Sequence, residues 1–203
     1  QQLRRFGRRV LACFDTDATA AASLARMLGV RHVMADAAQL LGLPGLRTVY
    51  IASNHASHAD YAVQALARGL DVYVEKPVAV SLPQLQALTA ARQASSGRLF
   101  AGYNRPFAAA VRELRQCMPV DPAGGITLQC TVVGHVLASD HWYRRPEEGT
   151  RICGNVGHWL DLFIHVLGWR GMPGRLDIAL SWADAAEPDD ADADLAFGDR
   201  LPR

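Results

Sequence analysis

The sequence all but lacks lysine: of its 21 Lys and Arg residues, 20 are arginine and one, Lys76, is lysine. A chain that uses arginine wherever only positive charge is wanted, yet keeps one ammonium, marks a position where a guanidinium fails. Lysine releases its proton readily on burial or beside a cation, whereas arginine stays protonated. Lys76 is therefore a candidate proton donor or acceptor; the alternative is a surface lysine that drifted into an arginine-rich chain. Excess charge is lacking too. A net charge of +1 over 203 residues, with the arginines scattered, gives no electrostatic case for nucleic acid. No stretch reaches the ~18 apolar residues of a membrane span, and Gln1-Gln2-Leu3-Arg4-Arg5 lacks the apolar core of a signal peptide. The four cysteines, at 13, 117, 130 and 153, lack metal-type spacing. Set among apolar or small residues, they are expected to be buried thiols in a reducing compartment, with the cytoplasm as location and no bound metal. A small molecule is the expected ligand.

The 50% of hydrophobic residues and 20% of charged ones suffice for one large or two small domains with real cores. Through the first hundred residues, short apolar or β-branched runs alternate with Ala- and Leu-rich stretches, the pattern of a parallel sheet covered by helices. Strands are expected at Arg9 to Phe14, Thr48 to Ala52, Asp71 to Val74 and Arg98 to Tyr103. Asp17 can cap a helix closing at Gly29, a second helix from Ala59 to Arg68 runs into Gly69, and Ser81 precedes Leu82-Pro83 at a third helix start. The fold class expected is α/β, a Rossmann-like doubly wound parallel sheet over 1–105, followed by part of a second α/β domain with an open sheet over 106–203. In that second part we expect a helix from about Phe107 to Met118, a turn at 121–125 and a strand from Ile126 to Val133. A helix from about Asn155 to Leu167 and a strand from Leu176 to Trp182 follow. The acidic stretch from Asp184 to Asp194 is expected to be a solvated loop.

Open parallel sheets place ligands beyond the carboxyl ends of their strands, and four expected strand ends carry polar residues. Asp15 follows the first run; its carboxylate can accept both hydroxyls of an adenosine ribose and repel a 2′-phosphate. Either Asp15 or Asp17 can instead cap the next helix, and Asp17 is better placed to do so. Ser53-Asn54-His55-Ala56-Ser57-His58 opens a helix whose unpaired N–H groups suit a phosphate, although a Ser57 cap beside two surface histidines explains the same residues. Glu75-Lys76-Pro77 and Gly102-Tyr103-Asn104-Arg105 end the next two strands. Farther on, His158 lies near the start of an amphipathic helix with Asp161 three residues later and His165 seven later. Histidine is the usual proton shuttle near neutral pH, but His158 alone is as well explained as a satisfied, partly buried ring.

Taken together, Ala52 to Asn54, His58, Glu75-Lys76-Pro77, Gly102-Tyr103-Asn104-Arg105 and His158-Trp159-Leu160-Asp161 resemble the glucose-fructose oxidoreductase, inositol dehydrogenase and rhizopine-catabolism family. The resemblance runs from about Arg9 to about Trp182, and Glu-Lys-Pro in this sheet context is its most specific part. It implies NAD-dependent hydride transfer, with NADP possible, on a sugar, cyclitol or related polyol. Lys76 would contact the reacting oxygen and His158 would relay the proton. Asp15 would take the adenosine ribose, while Ser53, Asn54, His58, Glu75, Lys76 and Asn104 would line the nucleotide site. Tyr143, Arg144, Asn155 and His158 would meet the substrate. The resemblance further implies a homo-oligomer if the chain is complete, and some relatives are non-catalytic NAD-binding regulators or NAD-dependent glycosidases. Two departures stand out. Gly154 occupies the place where many members carry an aspartate four residues before the histidine, and the sequence holds no G-x-G-x-x-G. The family's first strand and glycine-rich loop would precede Arg9, and further strands would follow Arg203, so the sequence reads as truncated at both ends.

Overall fold

The computed structural model describes residues 7–118, 127–132, 138, 140–149, 152–169, 171–172, 174, 177–182 and 193–198, and it divides into two compact units, Gln1–Gly102 and Tyr103–Arg203. The first unit is built from repeated strand-then-helix steps. Strands β1 (Ala12–Cys13) and β2 (His32–Val33) pair in parallel as one two-stranded sheet. Strands β3 (Thr48–Ile51), β4 (Asp71–Val74) and β5 (Leu99–Ala101) form a second parallel sheet in that order. Val49 lies opposite Val72, and Ile51 opposite Val74, so one face of this sheet is uniformly aliphatic.

The helices begin and end where local chemistry dictates. Helix α1 (Ala18–Leu28) is capped by Asp17, whose Oδ1 accepts from the N–H groups of Thr19 at 2.7 Å and Ala20 at 3.3 Å. It closes on Gly29 at φ 60°, the left-handed conformation that glycine adopts without a Cβ penalty. Helix α2 (Ala37–Leu41) is capped by Asp36 through the Gln39 N–H at 2.7 Å. Helices α3 (His58–Leu66) and α4 (Leu82–Ala94) follow β3 and β4. Their apolar residues Ala62, Ala65, Leu66 and Leu88 join Leu41, Val49, Ile51, Leu70, Val72 and Val74 in a single core. Leu66, Val72 and Val74 are fully excluded from solvent there. The opposite sheet face carries the aromatic row Tyr50, Tyr73 and Phe100, in register across the three strands, with Tyr50 and Phe100 exposed.

The second unit holds helices α5 (Ala109–Cys117) and α6 (Gly157–Gly168), several short 3-10 turns, and an antiparallel pair of strands, β6 (Asp177–Trp182) and β7 (Ala193–Gly198). A π-helical turn over Ile152–Val156 leads into α6, so the helix expected from Asn155 has its regular α part from Gly157. Three expectations are corrected. Residues 127–132 carry no strand, because alternation supplies two faces but not a hydrogen-bonding neighbour. Asp194 is not in a loop: it pairs with Ser181 in the β6–β7 ladder, while 183–192 lie outside the described residues, as does the turn at 121–125. Nor are all the thiols buried. Cys117 and Cys130 are exposed and Cys153 is half-buried, because α5 buries none of its residues and Cys130 sits in irregular chain; only Cys13 is buried. Among the described residues, no helix is long and apolar enough to cross a membrane.

Candidate active site

In the first unit the carboxyl ends of β1, β3, β4 and β5 carry the polar residues. After β1, the Asp15 carboxylate is exposed and accepts from the Asp17 N–H at 3.0 Å. Asp17 does the capping, so the Asp15 carboxylate keeps acceptor capacity for a ligand. After β3, Ser53 and Asn54 are exposed. The Ser57 hydroxyl lies 2.9 Å from both Asn54 O and Asn54 Oδ1 and 2.7 Å from Ser53 Oγ. Ser57 therefore spends its hydroxyl within this loop and does not cap α3.

After β4 come Glu75 and Lys76, both half-buried, and a cis peptide bond joins Lys76 to the buried Pro77. Glu75 is fixed from two sides. Its N–H donates to Ile51 O at 2.9 Å, and a Cβ placed on Gly102 would come within 2.8 Å of Glu75 Oε2, so the glycine after β5 is what lets the carboxylate lie there. Glu75 Oε2 also accepts from the Lys76 N–H at 3.4 Å.

His58 differs from its expected role. It is buried, 1% exposed, with Nδ1 at 2.8 Å from Pro77 O and Nε2 at 2.9 Å from Ser53 O. Both ring nitrogens face backbone carbonyls, so His58 presents no polar atom to a nucleotide. The ring joins the loop after β3 to the turn after β4 instead. His55, which only the alternative reading put at the surface together with His58, is also buried, with the two rings 5.9 Å apart. Sequence reasoning missed Gln84 altogether. Its Nε2 donates to Ala56 O at 2.8 Å and its Oε1 accepts from the Val80 N–H at 3.0 Å, a second tie between the same two segments. The signal was the spacing Ser81-x-x-Gln84, a capping-box pattern in which Ser81 Oγ accepts from the Gln84 N–H at 3.4 Å.

The second unit gathers its own group around α6. His158 is half-buried, with the Tyr103 ring edge-on at 5.9 Å. Asp161, one turn along, has its Oδ2 buried without a hydrogen-bond partner among the described residues. Burial pushes its carboxyl above the ordinary range, and His165 opposes the shift. Burial, and then the charges of Asp161 and Cys153, likewise push the Tyr103 hydroxyl up. Arg105 lies over the Trp159 ring at 4.3 Å, which secures the segment after Asn104 to the helix. Asn104 is exposed, and its carbonyl accepts from the Phe107 N–H.

Tyr143 and Arg144 sit half-buried in a 3-10 turn, and Asn155 is half-buried in the π-turn. Any Cβ at Gly154 would overlap the Tyr143 ring. The glycine that departs from the family pattern thus has a local reason: it makes room for a phenol. No three His, Cys, Asp or Glu side chains among the described residues gather as a metal site.

The model of the oxidoreductase family with an NAD-binding Rossmann fold matches residues 1–103. The chain belongs to this family. An inositol 2-dehydrogenase of Ralstonia nicotianae is 30% identical over 169 residues, spanning 80% of this chain and 47% of its own length. The chain thus spans about half the length of that curated relative, and less of several others. Among solved structures, myo-inositol dehydrogenase from Lactobacillus casei in complex with NAD(H) and myo-inositol superposes with a TM-score of 0.52 at 25% identity, over 54% of this chain and 33% of that one. Biliverdin reductase from a Synechocystis species, in complex with biliverdin and NADP+, superposes with a TM-score of 0.70 over 94% of this chain and 60% of that one. At 17% identity this last likeness shows the fold, and it extends the likeness across both units of this family member.

Proposed function

We propose that the chain carries the site of an NAD-dependent oxidoreductase acting on a polyol or cyclitol. The observation that carries this reading is the placement of the one lysine of the chain at the carboxyl end of β4, in a family with an NAD-binding Rossmann fold. The side chains present fit the nucleoside part of such a cofactor: Asp15 keeps its carboxylate for a ribose diol because Asp17 does the capping. A ribose 2′-phosphate would meet that carboxylate, which favours NAD over NADP. When bound, NAD supplies the hydride chemistry.

The residues of the chain do the rest. Ser53, Asn54, Glu75 and Asn104 offer polar groups toward a nucleotide. Lys76 takes or returns the proton at the substrate oxygen, and by the family resemblance His158 is the relay candidate of the second unit. Tyr143, Arg144 and Asn155 orient the hydroxyls of a polyol, a substrate class shared with the inositol dehydrogenases to which the chain is similar. Tyr143 packs on Gly154, so in this chain a phenol stands next to the segment that leads to His158.

The test is turnover of NAD with a panel of inositols and sugar alcohols, for the unaltered chain and for Lys76→Ala and Lys76→Arg. Both variants are expected to lose turnover while nucleotide affinity holds, because arginine does not release a proton. Turnover by the arginine variant at the unaltered rate would overturn the acid/base role of Lys76.

A further inference from the structure

Two segments far apart in sequence converge beside Lys76: the loop 53–58 after β3 and the stretch 77–84 after β4. The bonds between them come from side chains. His58, buried to 1% exposure, faces Ser53 O with Nε2 at 2.9 Å and Pro77 O with Nδ1 at 2.8 Å. Gln84 closes the outer side, from Ala56 O at 2.8 Å to the Val80 N–H at 3.0 Å. Carbonyl oxygens only accept hydrogen bonds, so a neutral His58 ring donates to one of its two partners and an imidazolium donates to both. Either way the ring stands between the two carbonyls and donates to at least one of them; Pro77 is buried and Ser53 exposed, so the Pro77 carbonyl is the one that water replaces least readily. A phenylalanine of similar size would fill the space and donate to neither carbonyl.

We propose that His58 is the positioning residue of this site: by tying the Ser53 and Pro77 carbonyls together, it fixes the Glu75-Lys76-Pro77 turn against the end of β3 and thereby sets where the Lys76 amine stands. This rests on the proposed function only for why the placement of Lys76 matters. Pro77 has no N–H with which to anchor the turn, so its carbonyl is the handle available, and His58 holds that handle. Gln84 braces the same pair of segments through Ala56 and Val80.

Because Lys76 is the one lysine of the chain, an amine-selective acylating ester reads its environment directly, with an added lysine-containing peptide as reference in the same reaction. The full chain and the variants His58→Phe, His58→Gln and Gln84→Leu are labelled well below their unfolding transitions. His58→Phe is expected to raise the Lys76 rate relative to the reference peptide by about tenfold, because a turn released from the tie opens locally to the reagent. His58→Gln, which restores an N–H donor, is expected to return most of that change, and Gln84→Leu to give a smaller one. A His58→Phe protein that is merely less heat-stable, with Lys76 labelled at the unaltered rate, would overturn the proposal.

If His58→Phe does not fold, the unaltered chain still decides. A His58 ring N–H should exchange with solvent far more slowly than that of the exposed His32, and equal exchange would refute the tie. Neither readout needs nucleotide or polyol. A labelling response without NADH binding would leave the tie standing and remove the oxidoreductase proposal.

Discussion

The two units bury different things. In the first, ten residues from three helices, two strands and a turn form one apolar core, and the buried ring of His58 has both nitrogens facing backbone carbonyls. In the second, Val166 is the one buried member of the hydrophobic core among the described residues, while Glu148 and the Oδ2 of Asp161 lie out of solvent. The first unit is a scaffold that presents its chemistry at strand ends. In the described part of the second, Asp161 Oδ2 on α6 is buried without a hydrogen-bond partner among the described residues, and such a group is commoner at a site than in a core.

The probes for this contrast are built into the sequence. All four tryptophans, at 142, 159, 169 and 182, lie in the second unit, so their fluorescence reports that unit while circular dichroism reports both. The largest effect is expected from Leu66→Ala, which empties a fully buried position and should cost about 2–5 kcal/mol. Its urea transition by circular dichroism should shift far more than the tryptophan transition, and coincident shifts would show that the units unfold as one.

Gly154→Ala comes next. The added methyl must displace the Tyr143 ring, and overpacking of this kind costs about 1–3 kcal/mol. The tryptophan midpoint should fall, and adding Tyr143→Ala should recover part of the loss in a double-mutant cycle. Simple additivity of the two changes would contradict the packing described.

The smallest effects concern pH, and their signs should be opposite in the two units. In the first, the Arg98 guanidinium, 2.8 Å from Asp71 Oδ2, holds the Asp71 carboxyl at about 2. A lowered folded value means that the stabilisation is present above the ordinary carboxylate range and is lost as pH falls toward 2. In the second, Asp161 is raised by burial, so this group favours the folded state more as pH falls and less as it rises through the carboxylate range. Melting temperatures between pH 2 and 6 should therefore show a shallower acid loss for Asp71→Asn and a steeper one for Asp161→Asn, each against the unaltered chain. Equal slopes for both variants would contradict the assignment.

How much of this was legible in the sequence follows the same division. Caps are local, so Asp17, Gly29 and Ser81 marked helix ends correctly, and the aliphatic runs at β3 and β4 marked buried parallel strands. Two residues have no period, so β2 went unread, and with it α2 behind its Asp36 cap. The alternation from Ile126 to Val133 promised a strand, and its described part, 127–132, carries none among the described residues, because pairing depends on distant chain. Lys76 stood out through composition alone. His58 was noticed but given a ligand, since a sequence shows that a histidine is present and not that two carbonyls enclose it. Gln84 drew no reading from the sequence, because Ala56, whose carbonyl its amide reaches, lies 28 positions earlier.

The central claim is that the strand ends of the first unit receive a nicotinamide dinucleotide. Titration of the 203-residue chain with NADH, following nicotinamide fluorescence and melting temperature together, tests it most directly. The account predicts saturable binding with a rise in melting temperature, weakened by Asp15→Ala and weaker for NADPH than for NADH. A flat fluorescence titration with an unchanged melting temperature would contradict it.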